Sequence, residues 1–227
     1  MTLQEAIVAR HSVRRYKDIP LEQTCIDTLQ KKIAECNKLG NLHIQLVTDE
    51  RKAFTGMLSY GKFSGVNSYL AMVGKKADDL DERIGYYGEQ LVLLAQTLGL
   101  NTCWAGLSYR KTDAYEVLPG ERLTCLISVG YGETQGVGHK IKTIGDVSNA
   151  SELTPVWFRQ GVEAALLAPT AVNQQKFSFE YIAPHGDEVP KVKANKHFSI
   201  VGYTQMDLGI AKCHFEIGAG KDNFEWV

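Results

Sequence analysis

Ala9-Arg10-His11-Ser12-Val13-Arg14-Arg15-Tyr16 gathers three guanidiniums, an imidazole and a hydroxyl at the point where a helical pattern ends. Upstream, Thr2 and Glu5 have the spacing of a capping box, and Leu3, Ala6 and Ile7 recur at helical intervals. The spacing predicts a helix at the N-terminus, with Arg10 to Arg14 leaving its C-terminal end. A guanidinium is a planar fork of donors and a serine hydroxyl adds a short one, so the cluster suits a phosphate monoester. It equally suits a solvated basic turn, and its partners further along the chain have to decide.

The 227 residues bound one large domain or two small ones. With 44% apolar and 22% charged residues, the composition is that of a soluble globular chain. A net charge of −1 offers no basic field for nucleic acid. Glu5 and Arg10 interrupt any apolar N-terminal run, so no signal peptide is expected, and no stretch is long and apolar enough to span a bilayer. The five cysteines include no CxxC pair, which points to a reduced, cytoplasmic protein. The six histidines have no HxxxH or HExxH spacing, so no metal is expected.

Pro20 to Lys38 reads as a helix with Cys25, Ile26, Leu29, Ile33 and Cys36 on one face, stopped by Gly40. Leu42–Val47 alternates as a strand, Arg51–Tyr60 reads as a short helix, and Tyr69–Gly74 as a central strand. Asp78–Leu98 is a long helix capped by Gly99, and Asn101–Gly106 is a tight apolar loop. Leu123–Val129 is a buried strand ending in Gly130-Tyr131-Gly132, and a glycine-rich connection then carries Lys140 and Lys142. A second series follows. Thr154–Leu167 is helical, Ala168-Pro169-Thr170-Ala171-Val172-Asn173-Gln174-Gln175 breaks it, and Phe177–Ala183 is a strand. His185-Gly186-Asp187 is a turn, Phe198–Tyr203 a strand and Asp207–Ile217 a helix.

The two series can be laid on each other. Asn67–Gly74 aligns with Asn195–Gly202, and Gly88 and Gly99 have the spacing of Gly209 and Gly220. Chance similarity of apolar strands followed by helices competes with duplication. The reading leans to an α+β chain of two similar halves, residues 1–150 and 151–227, with mixed or antiparallel sheets and central helices packed as a pseudo-dimer.

Four segments carry a family resemblance. Ile7–Tyr16 resembles the N-terminal motif of the FMN-dependent nitroreductases, and Ala168–Gln175 resembles their Ala-Pro-Ser-x-x-Asn-x-Gln loop. Leu98–Trp104 is similar to their Gly-Leu-Gly-Thr-x-Trp turn, and Gly130-Tyr131-Gly132 with Lys140 and Lys142 to their late Gly-Tyr-Pro strand end and basic tail. The order departs from the family pattern, in which the Asn-bearing loop closely follows the Arg-Ser motif; here it lies near residue 170. The resemblance implies a nitroreductase-like fold and, with the repeat, a single-chain pseudo-dimer holding one FMN, acting as a monomer or a homodimer.

By the same resemblance, Arg10, His11, Ser12 and Arg14 would hold the FMN phosphate and ribityl chain, while Arg15 faces elsewhere. Lys140 and Lys142 would reach the phosphate too, or belong to a solvated loop. Pro169, Thr170, Ala171 and Asn173 would line the flavin, although Asn is also common at a helix C-terminal turn. Lys62 would sit at the flavin N1 and O2 edge, or be a surface lysine. Gly106, with Trp104, would pass behind the ring, or Trp104 is plain core. The implied activity passes a hydride from NADH or NADPH, a transient substrate, to a nitroaromatic, quinone or similar electron-poor acceptor. No catalytic acid or base is assigned. Non-catalytic FMN storage or sensing, or another flavin chemistry on the same fold, is the alternative.

Overall fold

A computed structural model describes residues 1–56, 62–186 and 188–227. Its elements are α1 (Leu3–Ala9), α2 (Gln23–Gly40), β1 (Gln45–Val47), β2 (Tyr69–Lys75), α3 (Leu80–Thr97), β3 (Asn101–Ala105) and β4 (Glu121–Gly130). They continue with α4 (Ile144–Val147), α5 (Val156–Leu166), β5 (Phe177–Ile182), β6 (Lys191–Lys196), α6 (Thr204–Ala219) and β7 (Glu225–Trp226). The chain forms two compact units. The first comprises Met1–Thr2, Ala9–Leu80 and Gln90–Gly138; the second comprises Leu3–Val8, Asp81–Glu89 and His139–Val227. α1 and α3 each contribute residues to both units.

The first unit is built on an antiparallel sheet in the order β1-β2-β4-β3. Tyr69–Gly74 is buried throughout, as a continuous apolar run in an inner strand should be. Val13, Tyr16, Phe54, Val66, Tyr69 and Leu126 belong to one core cluster. In a second, Cys25 and Leu29 of α2 meet Ala95 of α3, Leu100 and Val129. Asn41, rather than Gly40, takes the left-handed conformation that ends α2. Of the helix expected over Arg51–Tyr60, Lys52–Phe54 makes one 3-10 turn, and residues 57–61 lie outside the described residues.

Asn101–Gly106 is not the expected loop. Residues 101–105 pair along β4 from Asn101↔Gly130 to Ala105↔Leu126. The β-favouring Thr102, Cys103 and Trp104 outweigh the turn residues at the two ends once a partner strand is present.

The second unit packs α5, α6 and the Asp81–Glu89 part of α3 with a sheet in the order β5-β6-β7, antiparallel and then parallel. Gly209 of α6 lies so close to α3 that an added Cβ would strike the Glu82 carbonyl, and one at Gly85 would strike that of Met206. The two helices therefore cross at glycine, where nothing larger fits. An aromatic cluster fills the other side of α6. Phe215 stacks on Phe179 with centroids 4.6 Å apart, and Phe224 on Trp157 at 5.6 Å.

Phe198–Tyr203 is not a strand. Phe198 and Ile200 are 85% and 93% exposed, and Gly202 and Tyr203 both have positive φ. The sheet strand is instead Lys191–Lys196, where Val192 alone is fully buried, so no apolar run marks it. The alignment of Asn195–Gly202 with Asn67–Gly74 fails for the same reason: it matches an exposed turn to the buried β2. His185 and Gly186 lie in the turn region, and Asp187 is outside the described residues.

Candidate functional site

In the first unit, the segment after α1 lies along the free edge of β3. Val13 N donates to the Thr102 carbonyl at 3.0 Å, and Ser12 forms a parallel bridge with Thr102. Further on, Tyr16 N donates to Ser64 O at 3.0 Å and Lys17 N to Tyr131 O at 2.8 Å. The Tyr16 hydroxyl donates to Val13 O at 2.6 Å and contacts Ser128 Oγ at 2.8 Å, locking the segment from inside. Extended backbone alternates side chains, so Val13 points into the core while Ser12 and Arg14 share the other side.

Cys103 marks where these donors converge. Burial pushes its thiol pKa up, while Arg14, the Ser12 hydroxyl and Arg10 pull it back, in that order. Two guanidiniums and a hydroxyl therefore act on one point beside β3, Arg10 buried and Arg14 exposed. His11 is half-buried, and residues 136–138 pass over it. A Cβ at Gly136 (φ +77°) would come within 2.7 Å of His11 Cβ.

Lys62 is exposed and lines a cavity of about 680 Å³ together with Arg15, Arg51, Phe54, Phe63 and Gly65. Arg51 is also bound to Asp18, at 2.9 and 2.5 Å. Arg15 thus joins Lys62 at this cavity, while Arg10, Ser12 and Arg14 act at Cys103. Trp104 and Gly106 are half-buried at the end of β3.

In the second unit, α5 ends before Ala168 and Pro169, both buried, and the chain turns through a 3-10 segment at Ala171–Asn173. Three non-glycine residues adopt positive φ here: Val172 at 46°, Asn173 at 56° and Gln175 at 45°. The Gln175 side chain braces the turn. Its Nε2 donates to Lys140 O at 2.8 Å and Asn173 Oδ1 at 2.9 Å, and its Oε1 accepts from Lys142 N at 3.0 Å. Lys142 Nζ donates to the Gln175 carbonyl at 2.6 Å, and Asn173 Nδ2 to the Lys140 carbonyl at 2.9 Å. Asn173 keeps one amide N–H and one oxygen lone pair beyond these bonds. Thr170 Oγ1 accepts from Gln175 N at 3.1 Å.

Asp207 of α6 reaches the same turn. Its Oδ1 accepts from Ala171 N at 3.0 Å, and its Oδ2 from Gln174 Nε2 at 2.6 Å. Asp207 is 3% exposed. Burial raises its pKa to about 6 against the opposing pull of the Gln174 amide and the Ala171 N–H. Sequence reasoning missed Asp207, Gln174, Gln175 and Cys103. A polar residue in an otherwise apolar helical stretch, Met206-Asp207-Leu208, was the available signal for the first.

The model of the family described as "Putative TM nitroreductase" matches residues 2–219, spanning both the Arg10–Arg14 segment and the 168–175 turn. The chain belongs to that nitroreductase family. Among solved structures, it resembles a nitroreductase described as putative from Thermotoga maritima at 25% identity and TM-score 0.64, covering 98% of this chain and 85% of that one. A nitroreductase of Desulfovibrio desulfuricans, solved in complex with FMN, matches at 14% identity and TM-score 0.54, over 68% of this chain and 99% of that one. The NfrA1 nitroreductase of B. subtilis matches at 17% identity and TM-score 0.51, over 67% and 74%. These two show the α+β nitroreductase fold. No curated protein matches the chain. The family match runs through both motifs in one span. Among the described residues, no helix is long and apolar enough to cross a membrane, and no group of three or more His, Cys, Asp or Glu is placed to hold a metal ion.

Proposed function

We propose that this chain is an FMN-dependent oxidoreductase that takes a hydride from NADH or NADPH and delivers it to an electron-poor acceptor such as a quinone or nitroaromatic. The observation that carries the reading is the Arg10–Arg14 segment paired along β3 at Thr102, with Arg10, Ser12 and Arg14 all acting on the Cys103 thiol, in a chain of the nitroreductase family.

The donor set fits the phosphate end of FMN: two guanidiniums supply planar N–H pairs and Ser12 a short O–H. Arg10, His11, Ser12 and Arg14 are assigned to the phosphate and ribityl chain. Lys140 and Lys142 are assigned to anion neutralisation, Lys142 with the N–H groups that its bond to Gln175 leaves. Pro169, Thr170 and Ala171 offer a small, partly apolar surface to the ring. Asn173 offers its remaining donor and acceptor to the ring's polar edge. Lys62 would favour negative charge on the ring, and Gly106 allows close backbone approach.

FMN, when bound, supplies the acceptance and release of hydride. The chain's own residues bind and orient it, and no side chain is required as a nucleophile. The test is the visible spectrum and flavin stoichiometry of the purified chain, followed by reduced-nicotinamide oxidation with a quinone. A yellow protein with turnover is expected. A colourless protein that takes up no added FMN would overturn the reading, and bound FMN without turnover would favour storage or sensing.

A further inference from the structure

We infer that Asp207 is the positioning residue of the 170–175 turn: its buried carboxylate fixes Ala171 and Gln174, and so the conformation in which Thr170, Ala171 and Asn173 meet the flavin. The inference rests on the FMN reading for its ligand and on the geometry of the second unit for its mechanism.

The turn is strained. Val172, Asn173 and Gln175 all sit in the left-handed region, and for a β-branched valine this is a true outlier. Such conformations persist only where surrounding contacts over-determine them, and they cluster at ligand clamps. Gln175, Lys142 and Thr170 brace one end. Asp207 braces the other, taking a backbone N–H with one oxygen and the Gln174 amide with the second.

Gln174 shows which partner dominates. Its Nε2 serves both Asp207 and the Gly202 carbonyl, at 2.6 and 2.9 Å, while its Oε1 is buried with no hydrogen-bond partner. An amide facing two acceptors must present its NH₂, and the orphaned oxygen is the cost of that orientation.

A buried carboxylate is also a poor choice for stability alone, since desolvation opposes its charge. Its protonation is set by burial, the Gln174 amide and the Ala171 N–H. Charged groups on the neighbouring segments make other bonds. Glu82 of α3 is engaged by Lys212 at 2.8 Å and by Gln205, and Lys142 by the Gln175 carbonyl. Those segments also carry Asp81, Arg83, Glu89, His139, Lys140, Lys176, His214 and Glu216, and none of them is among the causes that set the Asp207 pKa. Because burial raises its pKa, Asp207 binds a proton more tightly in the closed turn than in an opened, solvated one, so the turn tightens as pH falls through about 6.

The experiment compares the full wild-type chain with Asp207→Asn and Asp207→Ala; the isosteric variant carries the test if the alanine variant does not fold. Hydrogen exchange of the 168–176 segment, referenced to β5, is measured without added FMN. FMN affinity is then titrated at pH 7.5 and 5.5. Loss of a charge-assisted bond predicts at least about tenfold faster exchange in the turn at pH 7.5, with β5 unchanged. FMN affinity should fall by a similar factor. The FMN phosphate itself titrates near pH 6, so the readout is the difference in pH slope: wild type should weaken less steeply towards pH 5.5 than Asp207→Asn. Unchanged exchange, or equal slopes in wild type and variant, overturns the inference. A wild-type chain that binds no FMN at either pH sinks the flavin reading instead, and the exchange rates then decide whether Asp207 holds the turn.

Discussion

His214 Nε2 lies 2.9 Å from Glu89 Oε1, and neither side chain is exposed to solvent. The other ring nitrogen, Nδ1, is 3.1 Å from the Ala164 carbonyl, which can only accept, so Nδ1 carries its hydrogen. The contact ties α3, α5 and α6 of the second unit through one imidazole.

Removing half of that pair should be costly. Glu89→Ala leaves a buried ring nitrogen without its partner and should lower stability by about 3–5 kcal/mol. Glu89→Gln retains a hydrogen-bonding group at the same place and should cost clearly less. Urea unfolding midpoints of the two variants check the order; equal losses would mean that packing, not the hydrogen bond to His214, is what Glu89 supplies.

Arg14→Ala tests the phosphate assignment. Arg14 is exposed, so its removal should leave the thermal midpoint nearly unchanged. A lost charge-assisted contact to phosphate predicts FMN affinity weaker by about tenfold to a hundredfold. Fluorescence titration with FMN gives the answer, and an unaltered Kd removes Arg14 from the site.

Asp207 makes an unusual prediction for stability against pH. Its folded pKa is raised from 3.8 to about 6, so between these values the folded chain binds the proton more tightly than the unfolded chain. Its contribution is therefore most favourable below about pH 4 and is lost as pH rises through 6, by about 3 kcal/mol in all. This is opposite to a salt-bridged carboxylate. The stability difference between wild type and Asp207→Asn, from urea titrations at pH 4, 5, 6 and 7, should shift against wild type as pH rises. A flat difference would show that the carboxylate is solvated in the folded chain.

At the α3–α6 crossing, Gly209→Ala would drive a methyl into the Glu82 backbone, which cannot turn aside as a flexible side chain would. The helices must separate, at a cost of about 1–3 kcal/mol or more. Gly145→Ala, where an added Cβ meets nothing within 4 Å, is the control and should leave the melting temperature nearly unchanged. Similar melting temperatures for the two variants would mean that the crossing is loose.

Elements that depend on their own residues were legible along the chain. α2 shows its buried face as Cys25, Leu29, Ile33 and Cys36, and β2 its run from Tyr69 to Gly74, because helical spacing and continuous apolarity are local properties. Elements that depend on a partner were not. Lys191–Lys196 looks polar, and becomes a strand because Phe177–Ile182 pairs with it. Phe198–Tyr203 looks apolar, yet finds no partner strand and turns outward. Thr102 and Trp104 are held in β3 by Val129 and Ile127.

The same division runs through the candidate site. By itself the sequence determined the chemistry on offer: the guanidiniums and hydroxyl of Arg10–Arg14, the Pro169–Asn173 turn and the family resemblance that joins them, since residue types and short spacings are written in order. Only the tertiary structure decided that Arg10, Ser12 and Arg14 act on one point beside Cys103, and that Lys62 shares a cavity with Arg15. It also decided that a carboxylate 36 residues from Ala171 holds the turn. Charge, periodicity and turn propensity act between near neighbours. Hydrogen-bond partners and burial are set by which distant segments the packed core brings within about 3 Å, the reach of a hydrogen bond.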